Sequence, residues 1–151
     1  MNLTETPDTV QWPETHYAYL EKTGPFMQTA PAAWGEVHKN LPALSEHSRI
    51  TGYLSLYKVG PQVYRAGVAV DAPPASLPEG LRYDKFAGGK YNRFTLIGPY
   101  TQLGEATGRA FELAASLNLP LRDGFNIENY VNDPRITPAE QLVTEILFPI
   151  A

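Results

Sequence analysis

Thr23-Gly24-Pro25-Phe26 decides the fold, because the chain repeats its core: Gly98-Pro99-Tyr100 stands 74 residues beyond Gly24-Pro25-Phe26. Each copy follows an alternating stretch and precedes a helical one. Before the first, Thr15 to Thr23 sets Tyr17 and Tyr19 against Ala18 and Leu20, a strand pattern. Before the second, Tyr91 to Ile97 reads the same way. Glycine and proline then break the strand. After the first copy, Ala33, Trp34, Val37 and Leu41 recur at helical spacing from about Thr29 to Leu44. Thr29 stands as the cap, Pro31 in the first turn, and Pro42 as the stop or kink. After the second, Leu103, Ala106, Ala110, Leu113, Ala114 and Leu117 make a stripe from about Gln102 to Leu117.

Two more strands follow each helix. In the first half they run Ile50–Val59 and Val63–Val70, turned by Gly60-Pro61. In the second they are Phe125–Val131, ended by Asn132-Asp133-Pro134, and Val143–Ile150. Residues 71–80 and 119–124 read as loops, 81–86 as a short strand, and 137–140 as a turn. Gln28 and Gln102, and Ala32 and Ala106, share the 74-residue offset. Ile50-Thr51-Gly52-Tyr53 lines up with Ile127-Glu128-Asn129-Tyr130 77 residues on, as a three-residue insertion would require. The expectation is an internal duplication. It has one half over about residues 15–72 and the other over about 81–151, preceded by a flexible lead-in at 1–14. The fold class is α+β: a duplicated strand–helix–strand–strand module, an antiparallel sheet with two helices on one face and a ligand groove on the other.

Composition narrows the function. The 151 residues suit one domain with a true core. Without cysteine there is no disulfide, thiolate nucleophile or cysteine metal site. The net charge of −4 and scattered basic residues argue against nucleic acid. The polar, acidic start lacks a signal peptide, and no apolar run reaches the length of a membrane span. A cytoplasmic protein is expected. His16, His38 and His47 have no ligand spacing, and no catalytic triad, metal cluster or phosphate loop is evident, so no metal or cofactor is implied. Nine tyrosines are the unusual feature. Tyrosine is amphipathic and suits binding surfaces.

The candidate site starts at Glu128, a carboxylate on an otherwise apolar and aromatic strand. Alternation sends Ile127 and Val131 to one face and Glu128 and Tyr130 to the other. With Ile50, Leu54, Leu56, Ile127, Val131, Ile146 and Phe148 facing the helices, the groove receives Tyr53, Tyr57, Glu128, Tyr130 and Glu145. Tyr17, Tyr19 and Tyr91 join them, and Trp34 is the helix-borne candidate. Plainer roles stand beside these. Glu145 suits an ion pair with Arg65 on the equivalent strand, Trp34 suits helix–sheet core, and Tyr53 and Tyr130 suit cross-strand pairs.

Taken together, Thr23-Gly24-Pro25-Phe26, Tyr64-Arg65-Ala66-Gly67-Val68-Ala69-Val70, Gly98-Pro99-Tyr100, Ile127-Glu128-Asn129-Tyr130 with Asn132-Asp133-Pro134, and Thr144-Glu145-Ile146 running to Pro149-Ile150 resemble the gyrase-inhibitor-like (GyrI-like) small-molecule-binding family. The resemblance spans roughly residues 15–151. The same domain forms the effector-binding half of AraC- and MerR-type regulators. The resemblance implies the duplicated module and a buried Glu, ringed by aromatics, that receives lipophilic cations; that Glu maps onto Glu128. No helix-turn-helix segment is present, so regulation would run through a separate chain.

A carboxylate among rings favours a cation, because low local polarity strengthens the charge term and ring faces attract cations. Ligand-binding residues are therefore expected at Glu128, Tyr130, Tyr53, Tyr57, Tyr91, Trp34 and Glu145. The alternative is a hydrolase of strained or electrophilic toxins, with Glu128 or Glu145 as general base and a tyrosine as acid. A further alternative is a gyrase-inhibitor-like protein-binding module. The enzyme question leans to no. Partners expected are an amphipathic or cationic small molecule, a regulator or gyrase as protein partner, and a second copy in a homodimer.

Overall fold

Each Gly-Pro corner converts a strand into a helix. Gly24 and Gly98 carry φ values of 134° and 155°, in a region that favours glycine. The prolines that follow cannot donate to a ladder and start the helical turn instead. The computed structural model describes residues 1–151. In chain order the elements are β1 (Asn2–Leu3), β2 (Asp8–Trp12), β3 (Thr15–Thr23), α1 (Phe26–Ser45), β4 (Ile50–Lys58), β5 (Val63–Val70), β6 (Arg82–Phe86), β7 (Gly89–Ile97), α2 (Leu103–Ser116), β8 (Asn126–Tyr130) and β9 (Val143–Pro149). Short 3-10 turns lie at Tyr100–Gln102 and Ala139–Gln141. The protein is of the mixed α+β class, with antiparallel sheets. Neither helix is long and apolar enough to cross a membrane.

The chain forms two units, Pro13–Gly88, and Met1–Trp12 together with Gly89–Ala151. In the first, β3 lies between β6 and β5, and β4 pairs with the other side of β5. Ala33, Val37 and Leu44 of α1 pack onto Ala18, Leu20, Tyr64, Ala66 and Val68 of that sheet. In the second, β9 lies between β7 and β8, and β1 and β2 pair with the outer edge of β7. Ala106, Ala110, Leu113 and Ala114 of α2 pack onto Phe94, Leu96, Ile146 and Phe148. The small alanines let α2 sit close to the sheet, and each large apolar side chain so buried contributes about 1.5–3 kcal/mol.

Strand–helix–strand–strand is thus the order in both units, but the internal offset differs from the expected one. Pairing puts Leu20, Ala66 and Ser55 in one row, and Phe94, Ile146 and Glu128 in the matching row. Ser55, not Thr51, is therefore the counterpart of Glu128, at an offset of 73 rather than 77 residues. The bulge between Ile50 and Gly52 supplies part of the reason. The helices slip by one as well: the fully buried pair is Ala33 and Ala106, not Ala32 and Ala106. α2 enters through a 3-10 turn, whose tighter winding changes the phase.

The lead-in expected at residues 1–14 contributes β1 and β2 instead. Asp8 to Trp12 pairs residue for residue with Arg93 to Gly89, because Val10 and Trp12 alternate with polar residues in a strand pattern. Thr29 is not the cap of α1. Pro25 holds that place, and Thr29 turns its hydroxyl back to donate to the Pro25 carbonyl at 3.2 Å. The helix runs through Pro42 to Ser45.

Candidate functional site

β8 forms because Asn126-Ile127-Glu128-Asn129-Tyr130 alternates against β9, with Ile127 opposite Leu147 and Glu128 opposite Ile146. It ends where Asn132 accepts the Val143 N–H at 2.6 Å. The Asp133 carboxylate closes the turn by accepting from the Arg135 guanidinium and backbone N–H. Those bonds hold Asp133 below the usual carboxylate range.

The face of β8 is the reverse of the expectation. Ile146 belongs to the core under α2, and Glu128 shares its row, so Glu128 and Tyr130 lie on the helix-bearing face of their sheet. Ile127 lies on the other face, although it is fully buried. The same inversion holds in the first unit. Tyr53 and Tyr57 pack in the core with α1, whereas Leu54 and Leu56 sit opposite Gly67 and Arg65 on the other face. A strand buried on both faces has no polar side to mark its phase.

Around Glu128 the second unit assembles hydroxyls and rings. Tyr130 donates its hydroxyl to Glu128 Oε1 at 2.8 Å. Thr107, on α2, donates to Oε2 at 3.5 Å. Tyr100, in the 3-10 turn, meets the Tyr130 ring edge-on with centroids 5.7 Å apart. Burial pushes the Glu128 carboxyl up from its ordinary pKa, against the pull of the Tyr130 and Thr107 hydroxyls. Burial also raises the Tyr100 phenol, and the Asp133 charge adds to it. The named partners of the Glu128 carboxylate are hydroxyls rather than cations. This group can hydrogen-bond while neutral and accept a positive charge when ionised.

The other candidates divide. Tyr57 is buried against Phe26, and Tyr53 is half-buried on the same core. Trp34 donates its indole N–H to Ser55 Oγ at 3.2 Å and to the Tyr64 hydroxyl at 2.9 Å. These three belong to the first unit and its helix-bearing face. Tyr91, fully buried on the helix-free face of the second unit, donates to the Phe125 carbonyl at 2.8 Å and lies under the Arg122 guanidinium. Tyr17, its counterpart, likewise donates to the Leu54 carbonyl at 2.9 Å and stacks on Tyr19. Glu145 is on that helix-free face too, accepting from Asn129 at 2.8 Å and pairing with Arg93 at 3.3 Å. Arg65, its expected partner, binds Glu21 through its guanidinium at 2.8 Å. Tyr91 and Glu145 thus lie on the opposite face of the sheet from Glu128.

Sequence reading passed over Thr107 and Tyr100. A hydroxyl in the otherwise apolar stripe of α2 was the available signal for Thr107. Tyr100 stands inside the repeated Gly-Pro corner, where the glycine and proline carry the turn signal and the ring carries none of its own.

Residues 5–151 match the family model described as the GyrI-like small molecule binding domain. No match was found among curated proteins. Among solved structures, the EcmrR C-terminal domain is similar with a TM-score of 0.82 and 14% identity, covering 100% of this chain and 99% of that one. SAV2435 bound to tetraphenylphosphonium gives 0.76 at 14% identity, covering 96% and 93%. A structure described as a hydrolase from Listeria innocua gives 0.64 at 11% identity, covering 97% and 92%. At such identities the likeness is one of fold.

Proposed function

Because this chain belongs to the GyrI-like small-molecule-binding domain family, we propose that it binds lipophilic cations at Glu128, as a sensor or a sequestering sink. The observation that carries this reading is a half-buried carboxyl group whose pKa is raised by burial, held by hydroxyls and bordered by tyrosine rings. A bound cation supplies the charge partner it lacks, and ring faces add about 0.5–2 kcal/mol each. Tyr130 orients the carboxylate, and Tyr100 fixes the Tyr130 ring. Such a site selects first for positive charge and apolar area. The likeness to a fold seen with tetraphenylphosphonium supports the choice of probe.

Titration with tetraphenylphosphonium, followed by tyrosine and tryptophan fluorescence, tests it. A saturable change at one equivalent is expected. A linear, unsaturated response would count against the reading.

A second reading draws on the same Tyr130–Glu128 bond. A carboxyl with raised pKa beside a phenol can serve as general base and acid for water attack on an electrophilic, strained substrate. Product formation that disappears in Glu128→Gln would favour it. Tight binding with no product over hours would favour the binding protein.

A further inference from the structure

The two units answer the same structural position differently. In the first unit Ser55 takes the place of Glu128, and the helix residue above it is Trp34, donating its ring N–H to Ser55. In the second unit the matching helix residue is Thr107, one position beyond buried Ala106 as Trp34 is beyond Ala33, and it donates to Glu128. The glycines that follow, Gly35 and Gly108, match as well. Tyr64, which also receives the Trp34 N–H, is matched in register by Thr144, opposite Tyr130. Thr144 is fully buried, and its Oγ1 has no hydrogen-bond partner in the protein.

An indole, a serine and a tyrosine therefore stand where the second unit has a threonine, a glutamate and a threonine. α2 contributes no ring there. The first unit thus displays, in its own Trp34, the kind of group this position accepts: flat, bicyclic and apolar, with an N–H aimed at the sheet. Replacing Ser55 by a carboxylate changes one requirement, since the group must now carry positive charge.

Resting on the reading of Glu128 as a cation site, we propose that its preferred ligands are flat aromatic cations with ring or exocyclic N–H donors, of about the size of an indole. Protonated amino-heteroaromatics are the class. The N–H binds the Glu128 carboxylate in a charge-assisted hydrogen bond, roughly twice as strong as a neutral one. The ring takes the place that Trp34 fills in the other unit. Quaternary cations gain the charge term without the hydrogen bond.

Calorimetric titration with two probes tests this. Protonated 2-aminobenzimidazole is flat and rich in N–H donors. 1,3-Dimethylbenzimidazolium keeps the charge and the bicyclic ring and has no N–H. The wild-type protein is expected to bind the first at least tenfold more tightly, and Glu128→Gln to lose most of that advantage. Equal affinities in the wild type, both weakened by Glu128→Gln, would overturn this inference and leave the cation site standing. Binding of neither probe by a protein that still binds tetraphenylphosphonium would overturn this inference alone; binding of all three cations indifferent to Glu128→Gln would remove the cation site with it. Thr107→Trp supplies a second variant, since its own indole occupies the position. It is expected to weaken both probes at least tenfold with the thermal transition retained; unchanged binding in that folded variant would contradict the placement.

Discussion

Glu128 carries an unfavourable charge in the folded protein. Burial holds its carboxyl above the usual range, and two hydroxyls only partly compensate. A group whose folded pKa exceeds the unfolded one stabilises the fold while protonated, and that contribution is lost as pH rises through the folded value. Glu128→Gln cannot ionise. It is therefore expected to match the wild type below the ordinary glutamate range and to be the more stable protein near neutral pH. Thermal melts across that range check this, each 1 kcal/mol of relief raising Tm by about 2–4 °C. A constant difference at all pH values would mean that the carboxyl is well solvated. Tyr130→Phe removes the better of the two donors and is expected to cost about 0.5–1.5 kcal/mol in urea unfolding. An unchanged midpoint would contradict the orienting role.

At the scale of elements, the first unit depends on close approach in its sheet. Gly67 on β5 lies against β3, where an added Cβ would meet the Ala18 carbonyl oxygen at 2.5 Å and the Tyr17 ring at 2.7 Å. Neither can step aside cheaply, because the Tyr17 hydroxyl is tied to the Leu54 carbonyl. Gly67→Ala is expected to destabilise by about 1–3 kcal/mol, read as a lower urea midpoint. An unchanged midpoint would mean that the strands can spread. Element identities were legible beforehand, since period-2 and period-3.6 patterns are local: Thr15–Thr23 and Val63–Val70 match β3 and β5 to the residue. Strand phase was not. Ile127, Leu54 and Leu56 are fully buried on the faces away from the helices, so apolar residues lie on both sides and alternation cannot say which side holds Glu128. The Ile50–Gly52 bulge and the 3-10 turn before α2 displaced the repeat by a few residues for the same reason: each is a register event with no composition of its own.

For the whole chain, duplication was readable from the repeated Gly-Pro corner, and the family from motifs spread along its length. What the repeat concealed is the asymmetry between its halves. Trp34 over Ser55 in one and Thr107 over Glu128 in the other follow only from register, through which the matching rows are found. The N-terminal strands also escaped notice, since five residues joined to nothing nearby in sequence read as a loose end. They belong to the unit containing Gly89–Ala151, where β2 covers the edge of β7 and Asp8 pairs with Arg93 at 3.2 Å. Removal of residues 1–12 is expected to cost about 2–5 kcal/mol of ladder hydrogen bonds and to leave an open strand edge prone to association. A lower melting temperature and a concentration-dependent sedimentation profile would register both effects. A truncated protein as stable and monodisperse as the full chain would show that those strands are ornamental.

The affinity for tetraphenylphosphonium as a function of pH, compared between wild type and Glu128→Gln, bears most directly on the site. The wild type is expected to bind more tightly as Glu128 ionises, and the glutamine variant to bind at least tenfold more weakly, with no such rise. Equal affinities in the two proteins at neutral pH would contradict the role given to Glu128.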